Sequence, residues 1–269
     1  MKSNSNSIAR KTVLAASLLL ACVSGAAQDS PDVAADAGSS AVAPEAVAAV
    51  ERMQSYIHGL KAYAVHAETT EDEVLPFGYK LQGNQNVDLL VQLPSQLRVD
   101  ISGDDRDQTY LLDGATFTMH AKRLGVYTQA PVTATLDQAV GKLLSDGVEM
   151  PLIDVIYQGT KGTLLEGARA GRVVGESRID GVLCDHLAFR QATIDWQIWI
   201  AQGDQPLPKK LLITTRYEVG DPQFEAELTW DIAPKIGGDS FAFKAPSDAR
   251  KIPWEKGAHS TADATGGQP

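Results

Sequence analysis

The chain has 269 residues, of which 43% are hydrophobic, and its formal net charge is -10 at pH 7. An acidic chain repels nucleic acid, and no basic stripe is interleaved with aromatic residues, so nucleic acid is excluded as a partner. The hydrophobic content is sufficient for a folded core, and the length between the two polar ends suits one β domain.

The first 27 residues have the pattern of a secretory signal peptide. Arg10 and Lys11 precede an apolar run over 13–21, which is shorter than the ~20 residues that span a membrane. Small residues follow, so we expect cleavage after Ala27 and a periplasmic protein. The alternative is a lipobox at 19–22, in which lipidation of Cys22 would anchor the protein to a membrane.

Both ends of the exported chain are poor in apolar bulk. Residues 28–43 are dominated by Ala, Asp, Ser and Gly, and residues 256–269 are mostly small or polar. Such segments bury too little surface to fold. We therefore expect a flexible linker over 28–43, a single folded domain over 44–255 and a disordered tail over 256–269.

The folded part is predicted to begin with a helix and to continue with strands. Pro44 suits a first helical turn, and apolar residues recur at helical spacing over 44–58. After Leu60 the apolar period changes to two, which is typical of half-buried strands. Asp113-Gly114 indicates a tight hairpin turn. The first strands are predicted over 63–70, 87–93, 97–101, 109–112 and 116–120.

Two short helices are predicted in the middle of the chain, over 136–144 and 151–157. Phe241 and Phe243 are expected to close the sheet. Successive strands with tight turns form an antiparallel meander, which curls when it is long. The prediction is a mainly β (α+β) half-barrel whose concave face is covered by the N-terminal helix and the two middle helices. Its later strands are predicted over 172–179, 182–190, 196–200, 211–219 and 223–232.

A curled sheet that is covered by helices can enclose an apolar cavity. Strand alternation assigns its walls to Leu97, Val99, Phe117, Met119, Trp196, Ile198, Leu211 and Ile213. The alternative interpretation is that these side chains fill a core that has no room for a ligand.

Cys184 and His186 are the strongest candidates for catalysis. Residues two apart on a strand share a face, about 7 Å apart at Cα, and a Cys–His pair can supply a thiolate nucleophile. No orienting residue or oxyanion loop accompanies them, so we predict a structural role and no catalytic residue. Neither the histidines nor the acidic runs over 68–73 and 104–107 match a metal-binding pattern, so no metal or cofactor is expected.

Several segments resemble a family of predicted periplasmic proteins, domain of unknown function family 2092. The strongest are GVLCDHLAFR at 181–190, DWQIWI at 195–200 and PLPKKLLIT at 206–214. The resemblance extends over roughly 44–254. It implies a fold similar to LolA, LolB and LppX, which are half-barrels whose helices cover an apolar cavity for acyl chains. The family has no established activity, so no catalytic residue is transferred.

These observations predict a periplasmic, non-catalytic binding or carrier-type protein. Its partner would be a lipid, an acyl chain or another hydrophobic small molecule. The first alternative is a sensor or interaction module that uses the same half-barrel to recognise a periplasmic or membrane protein. The second is an enzyme of unknown type.

Overall fold

The computed structural model describes residues 42–104, 106–132, 134–148, 150, 152–153 and 164–254. The predicted signal peptide, almost all of the predicted linker, Cys22, most of the second middle helix and the C-terminal tail lie outside the described residues. The described residues form a mainly β fold with a single curled sheet of 12 strands.

In the described residues of the N-terminal half there are one α-helix and six strands, with a short 3-10 turn at Lys122–Leu124. Helix α1 begins at Pro44, as predicted, and ends where the apolar period changes to two. The elements are α1 (Pro44–Gly59), β1 (Ala62–Val74), β2 (Lys80–Gln92), β3 (Gln96–Gly103), β4 (Asp107–Asp113), β5 (Thr116–Ala121) and β6 (Val126–Pro131).

The C-terminal half contributes helix α2 and six strands to the described residues. Helix α2 opens with a capping box, in which the side chains of Thr135 and Gln138 each bond the other residue's backbone N–H. The elements are α2 (Leu136–Ser145), β7 (Ala170–Ile179), β8 (Val182–Arg190), β9 (Ile194–Ala201), β10 (Pro208–Thr215), β11 (Gln223–Asp231) and β12 (Arg250–Lys251).

The sheet consists of two meanders that meet along one seam. The strand order is β12-β6-β5-β4-β3-β2-β1-β11-β10-β9-β8-β7. Strands β1–β6 pair in chain order, and so do β7–β11, while β1 pairs with β11 antiparallel. Strand β12 lies parallel to β6 at the far edge. The predicted meander is therefore confirmed in both halves.

Both helices pack on the same face of the sheet, which we call the inner face; the opposite face is the outer face. Met53 of α1 and Leu143 of α2 are buried in one cluster with apolar side chains of β1–β5 and β8–β11. Arg52 of α1 contacts Asp185 of β8 at 3.1 Å. None of the described helices has the length and apolar character needed to cross a membrane.

The prediction that Phe241 and Phe243 close the sheet was wrong. They lie in an irregular segment between β11 and β12 that crosses the outer face. The ring of Phe243 packs against His120 at 5.6 Å and Tyr127 at 5.0 Å between centroids. Phe243 is therefore held by contact with the sheet rather than by strand pairing, and the two-residue β12 closes the edge instead.

Candidate functional site

The structure places all eight predicted wall residues on the inner face. Cross-strand pairing shows this: Tyr110 lies opposite both Val99 and Met119, and Trp196 lies opposite Ile213. All eight belong to the main hydrophobic cluster or pack against it: Leu97, Val99, Phe117, Met119, Trp196, Ile198, Leu211 and Ile213. Their role as ligand contacts stays a prediction.

Aromatic rings line the inner face in both meanders. Trp196 stacks on Phe189 with centroids 4.2 Å apart, and Phe117 meets Trp254 edge to face at 5.3 Å. Near the seam, Tyr63 lies 5.5 Å from the ring of Trp230. Sequence reasoning did not select four of these for the wall: Tyr63, Phe189, Trp230 and Trp254. The first three lie on the same strand alternation, which could have identified them.

Two buried polar atoms on the inner face have no hydrogen-bond partner among the described residues. They are the indole Nε1 of Trp196 and the hydroxyl of Thr128, which lies opposite Met119. By contrast, Nε1 of Trp230 donates to the carbonyl of Pro208 at 2.8 Å. A buried donor without an acceptor is uncommon in folded proteins and calls for an explanation.

The Tyr63 hydroxyl is uncharged at physiological pH. Burial raises the pKa of Tyr63 well above its ordinary value, and the nearby carboxylate of Asp137 raises it further. A neutral phenol is compatible with an apolar surface. Tyr63 therefore places no negative charge on the inner face near the seam.

Cys184 and His186 share one face of β8, as their spacing predicts, and that face is the outer one. Cys184 is buried with Trp199 and Ala201, and burial raises the pKa of its thiol. The ring of His186 stacks on Trp199 at 4.2 Å, and its Nε2 lies 2.8 Å from the amide oxygen of Gln197. A protonated, buried thiol is a poor nucleophile, and the structural role of this pair stays a prediction.

Two grooves lie on the outer face, and the larger has a mixed polar and apolar lining whereas the smaller is lined mostly by polar residues. The larger, about 480 Å³, contains an ion pair between His66 and Asp88 at 2.7 Å. The smaller, about 340 Å³, is lined by carboxylates that include Glu225 and Glu227. Lys210 contacts those two carboxylates at 2.7 and 3.0 Å. Among the described residues no group of three or more potential ligands is arranged to hold a metal.

Comparisons with known proteins place the chain in context. A family model described as "Predicted periplasmic protein (DUF2092)" matches residues 46–254. No curated protein sequence matches the chain. Similar solved structures include an uncharacterized conserved protein from Thermus thermophilus, which is 10% identical with a TM-score of 0.47 and covers 78% of this chain and 99% of its own.

Two further solved structures resemble the chain. The Mycobacterium tuberculosis lipoprotein LppX is 14% identical over 72% of this chain and 98% of its own, with a TM-score of 0.44. A LolA superfamily protein from Nitrosomonas europaea is 10% identical over 74% of this chain and 97% of its own, with a TM-score of 0.35. Both similarities extend over nearly the full length of the other protein.

Proposed function

We propose a carrier function for this chain, which belongs to the DUF2092 family of predicted periplasmic proteins. In this proposal the protein is non-catalytic and binds an acyl chain or another hydrophobic ligand on its inner face. The observation that supports this most strongly is the apolar inner face, which runs through both meanders and carries an indole N–H with no acceptor among the residues that the structure describes.

The chemistry of the inner face favours an amphiphilic ligand. An alkyl chain that leaves water to lie among these aliphatic and aromatic side chains from nine strands would gain free energy, about 25 cal/mol per Å² of its own apolar surface. The N–H of Trp196 adds one polar contact. A buried donor left unpaired costs ~1–3 kcal/mol, which a carbonyl or carboxylate oxygen of the ligand would offset. A fatty acid or an ester lipid combines both features.

The polar groups outside the inner face support a non-catalytic role. Asp100 is engaged by Arg98 and Thr109. Burial alone would raise the pKa of Asp100, but these hydrogen bonds and the nearby cations lower it below its usual value. The carboxylate therefore stays ionised and structurally engaged, which does not suit a general acid.

The first experiment tests for a bound lipid. The protein is purified from the periplasm without detergent, extracted with organic solvent, and the extract is analysed by mass spectrometry beside a control periplasmic protein. We expect a lipid at close to one molecule per protein. An empty protein that also takes up no fluorescent fatty acid would refute the carrier function.

The second experiment locates the binding surface with a matched pair of variants. Ile213 and Leu212 are consecutive, half-buried residues of β10 that face opposite sides of the sheet. We expect Ile213→Gln to weaken fatty-acid binding about tenfold, since a buried aliphatic side chain contributes ~1.5–3 kcal/mol. Leu212→Gln should bind like the wild type. Equal affinities of the two variants would place the ligand elsewhere.

A further inference from the structure

Five large apolar side chains project from one end of the sheet, at the β1–β2 and β10–β11 turns. Single exposed apolar residues are ordinary, but a group of five on neighbouring turns needs an explanation. We call these residues the tip patch; their exposed fractions are Phe77 88%, Tyr79 69%, Leu81 49%, Tyr217 76% and Val219 77%.

The two turns are held side by side. Strand β1 lies between β2 and β11, so the β1–β2 and β10–β11 turns lie at the same end of the sheet. Lys80 Nζ lies 3.0 Å from the carboxylate of Asp72 and donates to the carbonyl of Asp221 at 3.5 Å. Asp72 also accepts a hydrogen bond from the backbone N–H of Gln223 at 3.0 Å. These contacts connect the two turns, so the five side chains of the tip patch are presented side by side at one end of the sheet.

Each turn has a defined backbone conformation. In the first turn the N–H of Leu75 donates to the carbonyl of Tyr79 at 2.8 Å, around Phe77. In the second, Tyr217 has a φ of +68°, which is uncommon for a bulky residue. Arg216 donates to the Tyr217 hydroxyl at 2.7 Å. Unfavourable backbone geometry at an exposed ring suggests that its position serves a function.

The size and chemistry of the tip patch fit a lipid bilayer better than a protein. A stable protein interface uses ~20–30 residues on each side, and the tip patch has far fewer, on two protruding turns. Tyrosine and phenylalanine rings with aliphatic neighbours are the side chains that enter the boundary between headgroups and acyl chains. The family is periplasmic, and the periplasm is bounded by membranes.

The charged residues around the tip patch indicate which kind of bilayer it can contact. Lys80 and Arg216 are the nearby cations, and they are outnumbered by exposed carboxylates. A bilayer with anionic headgroups would be repelled at low ionic strength, whereas zwitterionic headgroups would not. The carboxylates belong to Glu71, Glu73, Glu218 and Asp221.

We propose that the tip patch inserts into the headgroup region of a zwitterionic phospholipid bilayer and docks the protein on the membrane. This docking goes beyond ligand binding on the inner face and does not depend on it. The protein would reach the bilayer through its turns, while the sheet stays folded and outside the lipid.

The test is flotation of the full chain with lipid vesicles. Every protein carries Cys22→Ser, so that no acyl group can be attached and mimic binding. We expect the parent protein to float with phosphatidylcholine vesicles and to bind less well when phosphatidylglycerol is added at low salt. Phe77→Ser with Tyr217→Ser should lower the partition coefficient at least about tenfold, because two rings no longer enter the lipid.

The matched control carries Leu144→Ser and Val174→Ser, two exposed apolar side chains elsewhere. It should bind vesicles like the parent, and near-ultraviolet circular dichroism should show that both double variants keep the native fold. The proposal is overturned if the parent does not float, if the tip variant floats as well as the parent, or if phosphatidylglycerol strengthens binding. A failure of fatty-acid binding alone would leave membrane docking intact.

Discussion

At the residue scale, the alternation of a strand decides which candidate groups can work together. Cys184 and His186 share the outer face, while Asp185 between them points inward, where it meets Arg52 and accepts a hydrogen bond from Gln202 at 2.7 Å. A Cys–His–Asp constellation is therefore divided between two faces, although the three residues are consecutive. The sequence alone could predict this, because the period of two is a local property of the strand.

His120 shows what local reasoning could not supply. Sequence analysis could place it at the end of a strand, which is where β5 holds it, but not beneath the C-terminal segment. Its ring is buried against Phe243, which lies 123 positions further along the chain by numbering. A contact between such distant residues depends on the path of the whole chain.

Burial of His120 makes stability depend on pH. Desolvation lowers the pKa of His120, and Lys122 lowers it further, against the opposing carboxylates of Asp107 and Asp248. The folded state therefore prefers the neutral ring. The stability that the buried, neutral His120 contributes is fully present above the pKa of ~6.5 in the unfolded state. It is lost as the pH falls from that value through the lower pKa in the folded state.

The measurement is the free energy of unfolding by urea between pH 7.5 and pH 5, for the wild type and for His120→Phe. We expect the wild type to lose stability relative to the variant as the pH falls, because Phe keeps an aromatic ring and does not titrate. The other histidines are common to both proteins and cancel in the comparison. A constant difference across this range would show that His120 is not responsible.

At the element scale, helices and strands with a regular apolar period could be predicted, whereas those with a weak period could not. Helix α1 and strands β1–β5 and β7–β11 were predicted because their apolar periods are regular. The largest displacement is at the start of β2, which was predicted at Val87 and lies at Lys80. Strand β6 was missed because Val126–Pro131 has a weak alternation. Strand β12 has only two residues, so its pairing depends on β6 rather than on its own sequence.

The segment between β11 and β12 is an element without regular structure, and we expect it to contribute to stability. Phe241 is buried, and the carbonyl of Ser240 accepts a hydrogen bond from Arg98 at 3.4 Å. Phe241→Ala should lower the free energy of unfolding by ~3–5 kcal/mol, the usual cost of removing a buried ring. Urea denaturation at pH 7 measures this change.

A control lies three residues away. Lys244 forms an ion pair with Asp239 at 2.7 Å, but both side chains are largely exposed. Lys244→Ala should therefore change stability by less than ~1 kcal/mol. If both variants lost similar free energy, or neither did, the segment would not be anchored through Phe241.

At the scale of the whole molecule, the fold is two local meanders joined along one seam between distant strands, with the short β12 added beside β6 at the far edge. Element order predicted the half-barrel and the helical cover, since both follow from local strand and turn patterns. The seam could not be predicted, because alternation does not specify which distant strand completes the sheet. In the structure Ala67 of β1 lies opposite Leu228 of β11. The continuity of the inner face across the molecule depends on this pairing.

The seam also predicts the order of folding. Leu112 lies opposite Phe117 within a tight hairpin. Leu228 lies beyond Glu227, where the pairing of β11 with β10 ends, and its partner is Ala67 across the seam. Closing a long loop is entropically costly, so contacts between distant strands form late. Both leucines are buried, so Leu→Ala at either position should cost ~2–5 kcal/mol. A change of this size in the free energy of unfolding is large enough to give a reliable φ-value.

Stopped-flow folding kinetics distinguish the two positions. Leu228→Ala should mainly accelerate unfolding and leave the folding rate nearly unchanged, because its contacts are absent from the transition state. Leu112→Ala should mainly slow folding, because the hairpin is already formed there. The reverse pattern would mean that the seam nucleates the sheet, and that the inner face is assembled before its two meanders are complete.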